Sequence, residues 1–485
     1  MSRLLRWPRR RGEAPLGPYD ARRPLLRLSK HDAWTIGDSF EGTQVFGATG
    51  SGKTSGSGAA IARAMLAEGF GGLVLTAKPD ERATWERYCE QTGRLDSLVV
   101  FGIDGAHRFN FLDYELRRPG GGLTEAIVEV FGVVMSAMTA GSSGSNEAYF
   151  EQARDQLLRN AIDLLRYSKG ALSLTDLLRV IRTGPRGFED LDDPAWRAGS
   201  FCAQCLSEAL GKAGVHVPSD LEETVLYWTE EFPGLPDRTR ASITSTFTTA
   251  ADGLVRAPMR ELFCSTTTVV PELTHQGVVL VIDLPIKSYH RVARIAQLIW
   301  KTMWQRATES RTGPALERPV FLWADEAQEF ATARDATFQA TARSARASTV
   351  YLTQNVPGYL ASLAGKAEAQ AATDSMLGNF QTKIFHANGD AVTNEWASKA
   401  IASDWVWRTS TSTNNQPDRD GRGHGSSVNA SSQQSFDPQV PPIRFTQLRK
   451  GGPANGLLVD GIVFQGGRRW RATGKNWIEV SFPQS

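Results

Sequence analysis

The stretch Gly47-Ala48-Thr49-Gly50-Ser51-Gly52-Lys53-Thr54 constrains this chain more than any other, because it satisfies G-x-x-x-x-G-K-[ST] in full. Glycines at 47, 50 and 52 let successive backbone N–H groups turn into one concavity, and at a helix N-terminus such a concavity cradles polyphosphate. Lys53 is placed to reach the β- and γ-phosphates, Thr54 offers its hydroxyl to Mg²⁺, and Ser55 completes the set of nucleotide-contacting residues. The flanks fit: Thr43 to Phe46 reads as the preceding strand, and Ala59 to Leu66 as the following helix. The expected ligands are therefore ATP and Mg²⁺.

With 485 residues the chain is too long for one ordinary core, so a large domain with an insertion, or two domains, is expected. A net charge of +2 excludes a globally basic nucleic-acid coat but leaves room for a local basic surface. Arg3, Arg6, Arg9, Arg10 and Arg11, followed by Arg22, Arg23, Arg27 and Lys30, define a basic arm over residues 1–35. Two readings of it stay open, a solvated arm and a contact with phosphates or anionic lipid. The four cysteines, Cys89, Cys202, Cys205 and Cys264, point to a reducing compartment. Cys202 and Cys205 form a CxxC with no second ligand pair nearby, which reads as two helical thiols one turn apart rather than a zinc site. No apolar run approaches the ~20 residues that span a bilayer. A soluble cytoplasmic protein is expected, with any membrane contact made peripherally at the inner face through a partner.

Alternation of strand and helix patterns implies an α/β fold with a mostly parallel sheet. Gly71 to Thr76 and Ser97 to Phe101 read as buried strands, and strand character returns at Gly277 to Asp283, Pro319 to Asp325, Thr349 to Gln354 and Gln381 to His386. Between them, from the Gly141–Ser145 tract to about Pro236, only helical patterns appear. Phe150, Ala153, Leu157, Leu158, Ala161, Ile162 and Leu165 share one helical face there. The expected division is an arm at 1–35, the first part of an NTPase domain at 36–140, an inserted all-α domain at 141–236, and the rest of the NTPase domain at 237–485. Residues 408–441 are rich in Ser, Thr, Asn, Gln and Gly, cannot build a core, and read as a long mobile loop.

Hydrolysis needs an acidic element at the end of another strand, and Val320-Phe321-Leu322-Trp323-Ala324-Asp325-Glu326 supplies it. Asp325 is placed to hold Mg²⁺ and Glu326 to polarise the attacking water. Gln354 ends the next strand, where a polar group can sense the γ-phosphate or position water; an ordinary strand-end glutamine is the plainer reading. Arg343 is either a solvated helix arginine or a group that stabilises charge at a neighbouring site.

The motifs GATGSGKT, LVLTAKPDE with Trp85, FNFLD at Phe109 to Asp113, LVIDLP, WADEAQEF and Thr353-Gln354 fall in an order that resembles the VirD4/TraG/TraD type IV coupling proteins. The resemblance runs from about Thr43 to the C-terminus. It implies a RecA-like P-loop NTPase domain with an inserted all-α domain, a homo-hexameric ring, and ATP hydrolysed at subunit interfaces to move DNA. The implied partners are single- or double-stranded DNA, a relaxase or other secretion substrate, and type IV secretion components. In that family an arginine finger stands eleven residues before the glutamine, a register that Arg343 occupies. Most members begin with two transmembrane helices, whereas this chain begins with its basic arm and has no transmembrane segment of its own in the sequence. Two alternatives remain: a substrate-docking receptor that uses NTP as an assembly switch, and a HerA/FtsK-like double-strand DNA pump or defence ATPase.

Overall fold

The computed structural model describes residues 16–139, 147–363, 366–417 and 424–484. The arginines at 3–11 and the Gly141–Ser145 tract lie outside them. The strands in chain order are β1 (Pro24–Arg27), β2 (Ala33–Thr35), β3 (Thr43–Phe46), β4 (Gly71–Leu75), β5 (Leu98–Gly102), β6 (Val279–Asp283) and β7 (Val320–Asp325). They continue with β8 (Ala347–Thr353), β9 (Thr382–Phe385), β10 (Ser403–Pro417), β11 (His424–Pro438), β12 (Leu458–Gln465) and β13 (Trp477–Pro483).

Nine of these strands form one sheet in the order β13-β12-β9-β3-β8-β7-β4-β6-β5. From β5 to β9 every pairing is parallel, while β12 joins β9 and β13 in antiparallel register. The central strands are apolar without alternation, as in the buried TQVF of β3 and VFLWAD of β7, because both faces of the sheet are covered. One face packs on Leu66, Met65, Trp85 and the β1–β2 hairpin, whose Leu25 and Trp34 are buried. The second half of the expected arm is thus part of the core. Leu25 and Trp34 sit among basic residues in the sequence, and only the packing of the hairpin on the sheet shows them to be core.

The other face is continuous with the helical region. Between β5 and β6 the elements are helical from Phe111–Arg117 to Met259–Phe263, a span wider than residues 141–236. A shared aromatic cluster joins the two regions: Phe109 stacks on Trp300 at 3.9 Å, and Phe101 meets both Trp300 and Phe263 edge-on. Cys202 and Cys205 lie one turn apart on the helix Phe201–Ala213, both buried as free thiols.

One expectation is overturned. Within residues 408–441, those at 408–417 and 424–438 are strand rather than loop, while 418–423 lie outside the described residues: β10 and β11 pair as an antiparallel ribbon from Ser403↔Pro438 to Pro417↔His424. The polar composition does prevent a core, but Thr and Ser suit extended backbone, and the ribbon is held by strand pairing with an Arg408–Asp437 ion pair and a Trp405–Phe436 ring contact near its base.

Candidate active site

Parallel strands deliver their C-terminal ends to one edge of a sheet, and ligands bind there. The phosphate loop leaves β3 at that edge. Gly50 and Gly52 take φ of +72° and +87°, a conformation that glycine adopts without strain. A Cβ on Gly47 would lie 2.4 Å from Ser51 Oγ, so the loop closes only around glycine there. Thr54 to Gly58 forms a π-helical turn that runs into the helix Ala59–Ala67.

β8 lies between β3 and β7 in the sheet, so the residue that follows it arrives between the phosphate loop and the acidic element. The result is a cluster centred on Glu326. Its Oε1 pairs with Lys78 Nζ at 2.9 Å and with Lys53 Nζ at 3.9 Å. Its Oε2 accepts from Gln328 Nε2 at 3.0 Å and Gln354 Nε2 at 3.4 Å. Thr54 Oγ1 donates to Asp325 Oδ2 at 2.9 Å, and Lys78 Nζ stands 3.4 Å from the same oxygen. Glu326 itself has φ 53° and ψ 48°, a left-handed conformation that costs a non-glycine residue roughly 1–2 kcal/mol. In that conformation its carboxylate lies against Lys78, with the phosphate-loop Lys53 a further ångström away.

Burial opposes ionisation of Glu326, but hydrogen bonds from Gln328 and Lys78 and the charges of Lys53 and Lys78 outweigh it and hold the carboxyl down at about 2. Lys78 feels the converse: burial favours its neutral form, yet Asp325 and Glu326 hold its ammonium charged above the ordinary lysine range. Burial, reinforced by the Asp325 charge, pushes Glu81 up to about 8. Glu81 Oε2 accepts the Ala77 N–H at 2.8 Å, whereas its Oε1 is buried and has no hydrogen-bond partner. Thr54, Lys78, Glu81, Trp85 and Asp325 line a cavity of about 180 Å³ beside the phosphate loop. The Thr54 hydroxyl, the Asp325 carboxyl and the unpartnered Glu81 oxygen lie around one small space, and oxygen donors of this kind are what a hydrated Mg²⁺ takes, so these residues fit that ion.

Of the residues expected from sequence, the fold brings together Lys53, Thr54, Asp325, Glu326 and Gln354. Arg343 is elsewhere: it caps the helix Arg334–Ala342, its side chain is 77% exposed, and its guanidinium pairs with Glu41 at 3.4 Å. Lys78, Glu81 and Gln328 escaped sequence reasoning. The signal for Lys78 and Glu81 was their position just beyond the C-terminal end of β4.

A further set buttresses the loop from behind. Val459 of β12 fills the space against Gly52 and Gly56, where a Cβ on Gly52 would meet its Cγ2 at 2.4 Å. Gln484 Nε2 donates to Ser55 Oγ at 2.6 Å. His386, directly after β9, lies 2.8 Å from the Asp460 carbonyl through Nδ1 and 2.7 Å from Ser57 Oγ through Nε2. A carbonyl only accepts, so Nδ1 carries the proton and Nε2 accepts from Ser57.

The fold and this cluster define a P-loop NTPase of the RecA-like type with an attached helical region. The family model for the TraM recognition site of TraD and TraG matches residues 319–450. No curated protein matches the sequence. Among solved structures, the unbound conjugative coupling protein TrwB, lacking its first 70 residues, is similar over 95% of this chain and 88% of its own, with a TM-score of 0.61 at 16% identity. TrwB with the ATP analogue ADPNP gives a TM-score of 0.62 at 14% identity, over 95% and 89% of the two chains. TrwB with ADP and Mg²⁺ gives 0.56 at 15%, over 95% and 88%. The family match spans 132 of the 485 residues, and the likeness to the TrwB structures shows a shared fold. Among the described residues no helix is long and apolar enough to cross a membrane.

Proposed function

We propose that this chain is the ATP-hydrolysing motor of a coupling-protein ring, moving DNA or a nucleoprotein substrate in conjugation or secretion. The observation that carries the reading is the convergence of Lys53, Thr54, Asp325, Glu326 and Gln354 at one sheet edge. The TrwB complexes with an ATP analogue and with ADP and Mg²⁺ support ATP and Mg²⁺ as its ligands.

The loop from Gly47 through Ala48, Thr49, Gly50, Ser51 and Gly52 to Lys53 binds the phosphates through backbone N–H groups, with Ser55 at its end. Thr54 and Asp325 would hold Mg²⁺, whose chemistry here would be neutralisation of phosphate charge. Glu326, ionised well below neutral pH, takes a proton from the attacking water, and Gln354 orients that water. Lys78 holds the two carboxylates in place before nucleotide arrives. Arg343, exposed and outside its own cluster, is available to a neighbour's γ-phosphate. The helical insertion and the segment matched by the TraM recognition model serve the secretion substrate and its partners. The protein acts in the cytoplasm, with any membrane contact peripheral and supplied by a partner.

The test is Mg²⁺-dependent ATPase of the full chain with no DNA, single strands and duplex, at low and moderate salt. A DNA motor predicts stimulation that falls as salt rises, because phosphate contacts release counterions. Hydrolysis indifferent to DNA at every salt would favour a docking receptor that uses NTP as an assembly switch.

A further inference from the structure

The ribbon of β10 and β11 forms a sheet of its own, separate from the nine-stranded one. Its 15 residues per strand pair without a register shift. At the usual rise it is roughly 50 Å long. Every second residue of each strand turns its N–H and C=O away from the partner strand, so each outer edge presents about seven donors and seven acceptors. A lone two-stranded ribbon is marginal in water. Natural edges are blunted by charge, proline or a bulge. Here neither Thr409–Gln416 nor Gly425–Phe436 contains a charged residue or a proline.

The two faces also differ. Directly opposed residues share a face, so Trp405 with Phe436, Trp407 with Gln434, Thr411 with Ala430 and Thr413 with Val428 lie on one side. Val406 with Ser435, Arg408 with Gln433, Ser410 with Ser431 and Ser412 with Asn429 lie on the other, which is hydrophilic apart from Val406. Trp405, Trp407 and Phe436 are each at least 60% exposed. A ribbon with one aromatic and β-branched face, one hydrophilic face and two unguarded edges has the makeup of a barrel segment.

We propose that the same ribbon of adjacent copies occupies these edges, β11 of one copy pairing with β10 of the next, so that the ribbons of a ring close into a barrel standing on the motor. The choice of a second copy follows from direction and number. β10 and β11 run oppositely, so copies related by rotation about an axis along the ribbons meet β11 to β10 in antiparallel order. Every copy then has both edges filled, whereas a single foreign strand fills one edge of one copy. This inference rests on the ring assembly proposed above.

The test is hydrogen exchange by mass spectrometry on the full chain, as dilute monomer and as ring assembled with Mg²⁺ and a non-hydrolysable ATP analogue, with assembly followed by sedimentation. Outward amides within residues 403–417 and 424–438 are expected to exchange about tenfold more slowly, or slower still, in the ring alone. A ring whose ribbon amides stay as fast as in the monomer overturns the pairing while leaving the ring intact. Protection that appears only after DNA or a secretion-substrate protein is added also overturns it, in favour of that partner. A chain that sediments as monomer throughout overturns the ring and the pairing together. Replacing residues 406–435 by a short Gly-Asn-Gly turn leaves the nine-stranded sheet untouched and is expected to raise the concentration needed for assembly about tenfold; an unchanged assembly midpoint contradicts the pairing.

Discussion

His386 couples the stability of this fold to pH. It is fully buried between Ser57, in the turn after the phosphate loop, and the backbone of Asp460 in β12. Burial is the main reason its imidazole is pulled down from 6.5 to about 4, with the nearby Lys53 charge adding to the effect. The folded-state value lies below the unfolded one, so between them the unfolded chain binds more protons. Stability is complete above about pH 6.5 and is lost as pH falls toward 4. Integrating that difference from pH 7 to pH 5 gives a loss of about 2 kcal/mol from this residue alone. His275, also pulled down to about 4 by burial, adds a loss of the same sign. A His386→Gln variant separates the two. Its amide can accept from Ser57 and donate to Asp460, it does not titrate, and His275 is unchanged. Urea titrations of both proteins at pH 7 and pH 5, followed by tryptophan fluorescence, should show the wild type losing about 2 kcal/mol more than the variant. Equal losses in the two proteins would refute the assignment of this acid sensitivity to His386.

Glu326→Gln keeps the shape of the side chain and leaves Lys53, Thr54 and Asp325 in place; ATP affinity should stay within a few-fold while kcat falls by about 10²–10⁴. Equilibrium nucleotide binding checks it, and lost affinity would assign Glu326 to structure instead. Lys78→Met leaves the Asp325 and Glu326 carboxylates without their nearest cation. The Lys78 side chain is 27% exposed, so the cost to the nucleotide-free protein should be about 1–2 kcal/mol, below that of breaking a fully buried pair. An unchanged thermal midpoint without nucleotide would count against the role of Lys78 in holding the carboxylates.

The site was legible in the sequence where its chemistry is local. The phosphate loop is eight consecutive residues, and Asp325 and Glu326 end an unbroken apolar strand, so each carries its own signal. Lys78 and Gln328 were not legible, because their roles depend on β4 lying beside β7 and on Thr353 Oγ1 donating to Gln328 Oε1 at 2.7 Å to fix that side chain. His386 was hidden for the same reason, since its partners lie 329 and 74 residues away along the chain. The parallel sheet followed from strands alternating with helices, but the antiparallel closure by β12 and β13 determines what backs the phosphate loop, and only tertiary structure shows it. The ribbon was misread because composition reports whether a segment can build a core and says little about whether two polar strands pair.

The proposal that Arg343 acts at a neighbouring copy's site is tested most directly by mixing two inactive variants. Lys53→Ala removes the ammonium proposed to meet the phosphates, and Arg343→Ala removes the exposed guanidinium; each alone should be nearly inactive. Subunit exchange is first demonstrated with labelled copies, and basal ATPase is then followed across mixing ratios under conditions that support uncoupled turnover. With a trans-acting arginine, random one-to-one assembly pairs an intact Lys53 with an intact Arg343 at about one interface in four, so ATPase should recover to about a quarter of wild type. Activity that stays flat and near zero at every ratio, with exchange demonstrated, would contradict a motor whose sites are completed by the neighbouring copy.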